Sequence, residues 1–347
     1  MFDARQALRR KILSAPAIII NRTIADCHES VVEPRLGPAA LERIVPVRGM
    51  TNYGGFNMDR RQFIRAAAGS AALLAAPSVV RAQTKPVLRV GLGPQQATQA
   101  DTKRVWEPIY GFVSEKMGAE LQLQVANDWA GIATALANEQ IDVAQMGPWG
   151  YVLARINGGA RIINTMLVND KPSYKAIIVA RPGLKVARFP EDAKGMSMQM
   201  LDVGSTSGWL VPTYMMKQKG IDPKTHFGKY AEGASAAAAQ MATINGQVDF
   251  ATGWDTHRNI MIKNGTIKND SNQIVWESDP LPNEVVAVRK GYDDAMAAKL
   301  QAAFVAITGD PVAKNLPYPY TGFVAANHEP YVVLETMGYT LGALKKD

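Results

Sequence analysis

From residue 86 onward, short apolar stretches of strand length alternate with helical periods, and they do so in two successive series. In the first, 87–92 reads as a strand ending at Gly93-Pro94, and a helical pattern over 103–116 stops at Gly118. An alternating strand at 121–125, a helix at 131–138, a strand at 141–144 and an apolar run at 176–180, closed by Pro182-Gly183, complete it. The second series has a strand at 196–200, a helix over 209–219 ending at Gly220, a helix at 236–244 and strands at 248–251 and 285–288. The tail reads as a helix over 293–307, a Pro/Tyr-rich stretch and a further helix after Pro330. Strands alternating with helices predict an α/β protein with mainly parallel sheets. Two series joined by extended segments near 180 and 284 predict two lobes, 83–180 plus 285–347 and 181–284, with a ligand cleft between them.

The segment ahead of this pattern reads as an address. Asp59-Arg60-Arg61-Gln62-Phe63-Ile64-Arg65 sets paired arginines before an uncharged Ala/Leu-rich run, and Val80-Arg81-Ala82 offers small residues at the cleavage positions. This is the pattern of a twin-arginine export signal over 58–82, directing the protein to the periplasm. Its apolar core is shorter than the roughly 20 residues that span a bilayer. A leader of this kind makes Met58 the expected start and 1–57, with the sole cysteine Cys27, an upstream extension.

Charge and cysteine use then narrow the function classes. Residues 1–82 carry 12 of the 38 basic and 6 of the 31 acidic side chains, which leaves 26 and 25. The near-neutral remainder gives no electrostatic footprint for nucleic acid or a membrane surface. Without cysteine it has no disulfide, thiolate nucleophile or Cys-based metal site. Asp255-Thr256-His257 has no second cluster at metal-ligand spacing, so no metal or cofactor is expected.

Gly204-Ser205-Thr206-Ser207-Gly208 is the candidate site. Successive hydroxyls flanked by glycines precede a helix, whose free N–H groups and positive dipole end favour an anion. The loop is not a hydrolase elbow, since Thr206 occupies the place G-x-S-x-G gives to serine. No G-x-x-x-x-G-K-[ST] nucleotide loop occurs. Trp129, Trp149, Tyr174, Trp209 and Trp254 lie beside predicted loops, where they wall a ligand or pack in the core.

The chain resembles the periplasmic substrate-binding proteins of phosphate/phosphonate-type ABC transporters over most of 86–340. The resemblance rests on an ordered set: Asn127-Asp128-Trp129-Ala130-Gly131-Ile132, Ile141-Asp142-Val143-Ala144 with Gly147-Pro148, Pro172-Ser173-Tyr174, the hydroxyl loop with Leu210-Val211-Pro212, Asn245-Gly246-Gln247-Val248-Asp249, Trp276-Glu277-Ser278 with Pro282-Asn283-Glu284, and Gly322-Phe323-Val324. It implies the two-lobed periplasmic-binding-protein fold of the type II kind, hinged by two strands and closing on the ligand. It implies that Ser205, Thr206 and Ser207 grip phosphonate or phosphate oxygens and that Tyr174 faces the ligand. Trp129 stands where the family usually has tyrosine. Glu284 stands where aminoalkylphosphonate binders carry aspartate, and Asp255 lies near a second acidic position, so the pair would hold a ligand ammonium. The family's usual histidine upstream of Asp249 is missing; that stretch reads Ala234-Ser235-Ala236-Ala237, leaving Ser235 or His257 as substitutes.

The reading is a non-enzymatic, monomeric receptor that binds a small oxyanion (phosphonate, phosphite or phosphate) and delivers it to ABC permease subunits. Its alternatives are the ligand-sensing partner of a membrane histidine kinase, a binder of another oxyanion or of a choline-like cation in a tryptophan cage, and an exported hydrolase using Asp255, His257 and Glu284.

Overall fold

The computed structural model describes residues 85–345. The expected leader at 58–82, the stretch 1–57 and Cys27 lie outside the described residues.

The chain builds β1 (Val87–Leu92), α1 (Gln99–Met117), β2 (Glu120–Val125), α2 (Trp129–Ala137), β3 (Val143–Met146), α3 (Pro148–Gly158) and β4 (Arg161–Val168) before it leaves the first lobe through β5 (Ser173–Tyr174). The second lobe contains β6 (Ala176–Ala180), β7 (Ser197–Leu201), a π turn at Thr206–Leu210, α4 (Val211–Gln218), α5 (Pro223–His226), β8 (Lys229–Ala234), α6 (Ala236–Ile244), β9 (Phe250–Trp254), α7 (Asp255–Lys263) and β10 (Gln273–Glu277). The chain returns through β11 (Leu281–Pro282) and ends with β12 (Val285–Val288), α8 (Asp294–Ala306), β13 (Tyr320–Ala325) and α9 (Val332–Leu341). The sheets have strand orders β13-β4-β12-β3-β1-β2 and β10-β6-β9-β7-β8, and β5 and β11 pair with each other where the chain crosses.

Two expectations change. The sheets are mixed, not mainly parallel: β1 pairs in parallel with β2 and β3, and β7 with β8 and β9, but β12 and β6 insert antiparallel. A chain that leaves one lobe and comes back must send strands both ways. The boundary expected at 180 also moves. Ala176–Ala180 is buried throughout and pairs with β9 inside the second sheet, so the first crossing is at β5.

Local chemistry sets the helix ends. Thr98 accepts from the Asp101 N–H to start α1, and Gly118 at φ 68° stops it. Asp128 accepts from the Gly131 N–H at 2.6 Å to start α2. The motif aspartates Asp142 and Asp249 are structural, each standing just before a strand. Asp142 accepts from Arg89 Nε at 2.9 Å and Arg289 Nε at 2.8 Å, and Asp249 from Arg181 Nε at 2.8 Å and the Ser197 hydroxyl at 2.7 Å. Burial pushes both carboxyls up, but these donors outweigh it and hold them below the usual carboxylate range.

The lobes meet closely. One apolar cluster joins Trp129, Ile132 and Trp149 of the first lobe to Leu201, Leu210 and Trp254 of the second. Gly147, the N-cap of α3, has no side chain to offer, and the acceptor comes from the other lobe: the Trp149 N–H donates to Thr206 Oγ1 at 2.8 Å. Trp149 Nε1 donates to the Val203 carbonyl at 3.1 Å, and the Ala130 N–H donates to Asp202 Oδ1 at 3.3 Å. Lys263 on α7 lies 3.6 Å from the ring centroid of Tyr318, just ahead of β13, a cation–π contact of about 0.5–1 kcal/mol where exposed. A Cβ on Gly204 would stand 2.3 Å from the Ala130 nitrogen. Gly204→Ala is therefore expected to hold the lobes apart. Solution X-ray scattering checks this through a larger radius of gyration at unchanged far-UV circular dichroism; an unchanged radius would show that the lobes tolerate the methyl group.

Candidate functional site

A cavity of about 350 Å³, counting its mouth, lies where the lobes face each other. Helix starts converge on it. Trp129 opens α2, Gly147 precedes α3, Ser205–Ser207 lead into the π turn, and Trp254 and Thr256 stand at the start of α7. Tyr174 comes from β5, Asn283 and Glu284 from the segment between β11 and β12, and Tyr320 from β13. Among the described residues no lysine, arginine or histidine lines the cavity, so the positive potential they would supply comes from peptide N–H groups and helix dipoles.

The hydroxyls are arranged to donate. Ser205 Oγ accepts from the Gly208 N–H at 3.1 Å, and Thr206 Oγ1 accepts from the Trp149 N–H. Each oxygen has a lone pair taken by an amide, which leaves its own hydrogen to aim elsewhere. The Tyr174 hydroxyl sits against Ser207 and Thr206. Burial raises it above the usual phenol range, more than those two hydroxyls lower it, so it stays a neutral donor. Asn283 supplies another donor. Its Oδ1 accepts from the Glu284 N–H at 2.8 Å, and its buried Nδ2 has no partner among the described residues. Since a peptide N–H can only donate, the amide cannot be the other way round.

Among the described residues Glu284 is the only carboxylate in the lining. Burial pushes its carboxyl up to about 8, and Gln145 alongside lowers it less. Gln95 Nε2 donates to Glu284 Oε2 at 2.5 Å, and Trp106 Nε1 donates to Gln95 Oε1 at 2.5 Å. Tyr110 donates to Gln145 Oε1 at 2.8 Å.

Six of the seven residues expected at the site line the cavity: Trp129, Tyr174, Ser205, Thr206, Ser207 and Glu284. Asp255 does not. Its Oδ1 accepts from the Lys175 N–H at 3.1 Å, the Thr256 N–H at 2.7 Å and the Thr256 hydroxyl at 3.3 Å. It ties the crossing segment to α7, so the expected carboxylate pair for an ammonium is not formed inside the cavity. Neither substitute for the missing histidine lines it either. Ser235 caps α6 by accepting from the Ala238 N–H, and His257 is buried beside the Trp254 ring, which lowers its imidazole to about 4. Gly147, Thr256, Asn283 and Tyr320 join the site without having been singled out as site residues, and Trp254, one of the aromatics beside predicted loops, joins its wall. For Asn283 the signal was present, since it stands inside the Pro282-Asn283-Glu284 motif. Among the described residues, no group of three or more His, Cys, Asp or Glu is placed to hold a metal.

A family model for the periplasmic substrate-binding protein of phosphonate ABC transporters matches residues 91–331. The chain belongs to that family. It is 27% identical over 216 residues to the phosphate-import protein PhnD of Mycolicibacterium smegmatis, covering 59% of this chain and 67% of that one. It is 24% identical over 213 residues to the phosphonates-binding periplasmic protein of Escherichia coli, covering 60% of this chain and 62% of that one. A binding protein of an ABC phosphonate transporter from Pseudomonas aeruginosa superposes with TM-score 0.67 at 22% identity, covering 74% of this chain and 86% of that one. A Prochlorococcus marinus relative in complex with methylphosphonate superposes with TM-score 0.66 at 18% identity, covering 74% and 99%. These likenesses establish the two-lobed fold of the family's receptors.

The raised Glu284 carboxyl has a stability consequence of definite sign. The folded protein holds this proton up to about 8, and the unfolded chain only to an ordinary value near 4.5. Between these values the folded state binds more protons, so stability falls as pH rises, with a slope approaching about 1.4 kcal/mol per pH unit from this group. Glu284→Gln removes it. The unfolding midpoint of the variant, measured relative to the natural protein, is expected to climb from about pH 5 to pH 8. A difference that stays flat would mean that Glu284 is charged in the folded state.

Proposed function

We propose that the protein is a periplasmic receptor that closes on a small phosphorus oxyanion (phosphonate, phosphite or phosphate) and delivers it to its ABC permease. The observation that carries this reading is the donor-rich lining. Ser205 and Thr206 have oxygens already accepting from peptide N–H groups and, among the described residues, Asn283 Nδ2 has no partner and no lysine, arginine or histidine lines the cavity. Such a surface is complementary to a compact group made of acceptors. Contacts from both lobes favour the closed arrangement, and a permease reads that arrangement. Nothing in the lining is an activated nucleophile: Ser205 and Thr206 have no histidine beside them, and the ligand would leave unchanged.

The names of the relatives, which include phosphate import and phosphonate binding, support the ligand class. The finer parts of the reading rest on the sequence: export through the twin arginines Arg60-Arg61, action as a monomer, and handover to membrane permease subunits. Replacing both arginines by lysine is expected to leave unprocessed precursor in the cytoplasm, detected by fractionation; normal export would reject the twin-arginine route.

Thermal unfolding with millimolar phosphate, phosphite, methylphosphonate, 2-aminoethylphosphonate, sulfate and choline tests the ligand class. A ligand at 100 times its dissociation constant stabilises by about 2.7 kcal/mol. A raised midpoint with a phosphorus oxyanion is the expected result. Thr206→Val and Ser207→Ala should reduce that affinity about tenfold each, from lost hydrogen bonds to a charged group, with the ligand-free midpoint of Ser207→Ala little changed. No shift with any phosphorus compound, or a shift with choline alone, would overturn the assignment.

A further inference from the structure

The buried acid and the groups behind it define the site more narrowly. An indole N–H can only donate, so Trp106 Nε1 fixes the oxygen of Gln95 toward itself and the Gln95 amide nitrogen toward Glu284. That nitrogen in turn can only donate, so Glu284 Oε2 must accept. Oε2 takes the carbonyl role, and the other oxygen is the one that can carry a proton. The backbone of Glu284 is held as firmly: its N–H donates to Asn283 Oδ1, and its carbonyl accepts from the Met166 N–H at 2.9 Å. Among the described residues no lysine, arginine or histidine forms an ion pair with Glu284, so only amide donors would offset a charge in this buried position.

Resting on the phosphorus-oxyanion reading of the cavity, we infer that Glu284 serves as a neutral acid donating from Oε1 to a ligand oxygen, oriented by the Trp106–Gln95 relay, so that the site takes oxyanions lacking an ammonium group. Every polar group then meets the ligand as a donor: the loop hydroxyls, Tyr174, Asn283 Nδ2 and Glu284. An ammonium would meet donors on all sides. It would find neither the ionised Glu284 nor Asp255, whose Oδ1 is already committed to two peptide N–H groups. Gln95 and Trp106 do not line the cavity, and they act by positioning.

The titratable groups around Glu284 agree with a neutral acid. Tyr110 on α1, Tyr174 on β5 and Tyr320 on β13 are all raised above the usual phenol range, chiefly by burial, and each is raised further by negative charge at Glu284. Asp255 at the start of α7 adds negative charge on the same side. None of these groups would help Glu284 ionise.

The experiment compares the protein with Glu284→Gln, because a glutamine side chain reproduces the acid's pattern of one acceptor and one donor without a titrating proton. Calorimetric titrations with methylphosphonate and 2-aminoethylphosphonate near pH 7 and pH 9 give the affinities. The reading is the change in methylphosphonate affinity between the two pH values, with Glu284→Gln as the reference that has no titrating proton at this position. At pH 9 the natural protein should weaken more than the variant, since only it ionises. Both should bind 2-aminoethylphosphonate at least about tenfold more weakly than methylphosphonate. A natural protein that prefers 2-aminoethylphosphonate and loses that preference in Glu284→Gln would overturn the inference, since the acid would then be an ammonium acceptor. A ligand-free arm separates this from the reading it rests on. The infrared difference spectrum between natural protein and Glu284→Gln should contain a protonated carboxyl carbonyl band at neutral pH, lost as pH rises past about 8. With that band present and no phosphorus compound bound, phosphate and phosphite included, the phosphorus-ligand reading fails while the neutral acid stands. With the band absent, the inference fails whatever binds.

Discussion

The bond from the Trp149 N–H to Thr206 Oγ1 is the contact on which the site depends. A helix that starts with Gly147-Pro148 has no side-chain cap of its own, and its first free N–H groups need acceptors. One acceptor comes from the opposite lobe. The same bond occupies the lone pair of Thr206 and turns its hydrogen away, so lobe closure and donor alignment are one event. Ser205 behaves likewise within its own lobe, using the Gly208 N–H. Receptors that must release their ligand gain from this coupling, because opening removes the alignment together with the contact.

The lack of a lining cation sets the energetic scale. A neutral hydrogen bond contributes about 0.5–1.5 kcal/mol net, and one to a charged partner about 1.5–3 kcal/mol. A handful of such donors reaches the roughly 8 kcal/mol of micromolar binding without a guanidinium. Helix N-termini add up to about 2 kcal/mol each where partly buried, and α2, α3, α7 and the π turn all start at the cavity wall. Peptide dipoles are fixed by the fold and cannot swing aside as a lysine can. They leave space in a small cavity, and an empty site holds no unpaired buried charge.

Much of this was legible in the sequence, and the failures have physical causes. The alternation of strands and helices, the glycine stops and the hydroxyl loop depend on local rules, and those features appear in the structure at or near the expected positions. β8 went unseen because KYAEGA has no buried apolar face to set a period: it is an edge strand with no fully buried residue. β4 was missed for the opposite reason, since its centre is buried on both sides and the alternation vanishes. Sheet membership is not a local property, so nothing in Ala176–Ala180 told which lobe it would join. In the site, residues beside glycines and hydroxyls were readable. Tyr320 was not, because it reaches the cavity from a strand far along the chain and shares no spacing with it; nor was Gln95, which acts on Glu284 from outside the lining.

Asp255 and Glu284 illustrate how two acids that look alike in sequence are separated by what surrounds them. Asp255 stands where β9 meets α7, and the peptide N–H groups of Lys175 and Thr256 satisfy its charge at the edge of the lobe junction. Glu284 stands where the chain re-enters the first sheet, sealed by tyrosines and faced by amide donors that are themselves oriented from behind. A charge in that position is offset only by these amide donors, and burial outweighs them. The two carboxyls therefore do not act as a pair. One fastens the crossing strand to the second lobe, and the other lines the cavity.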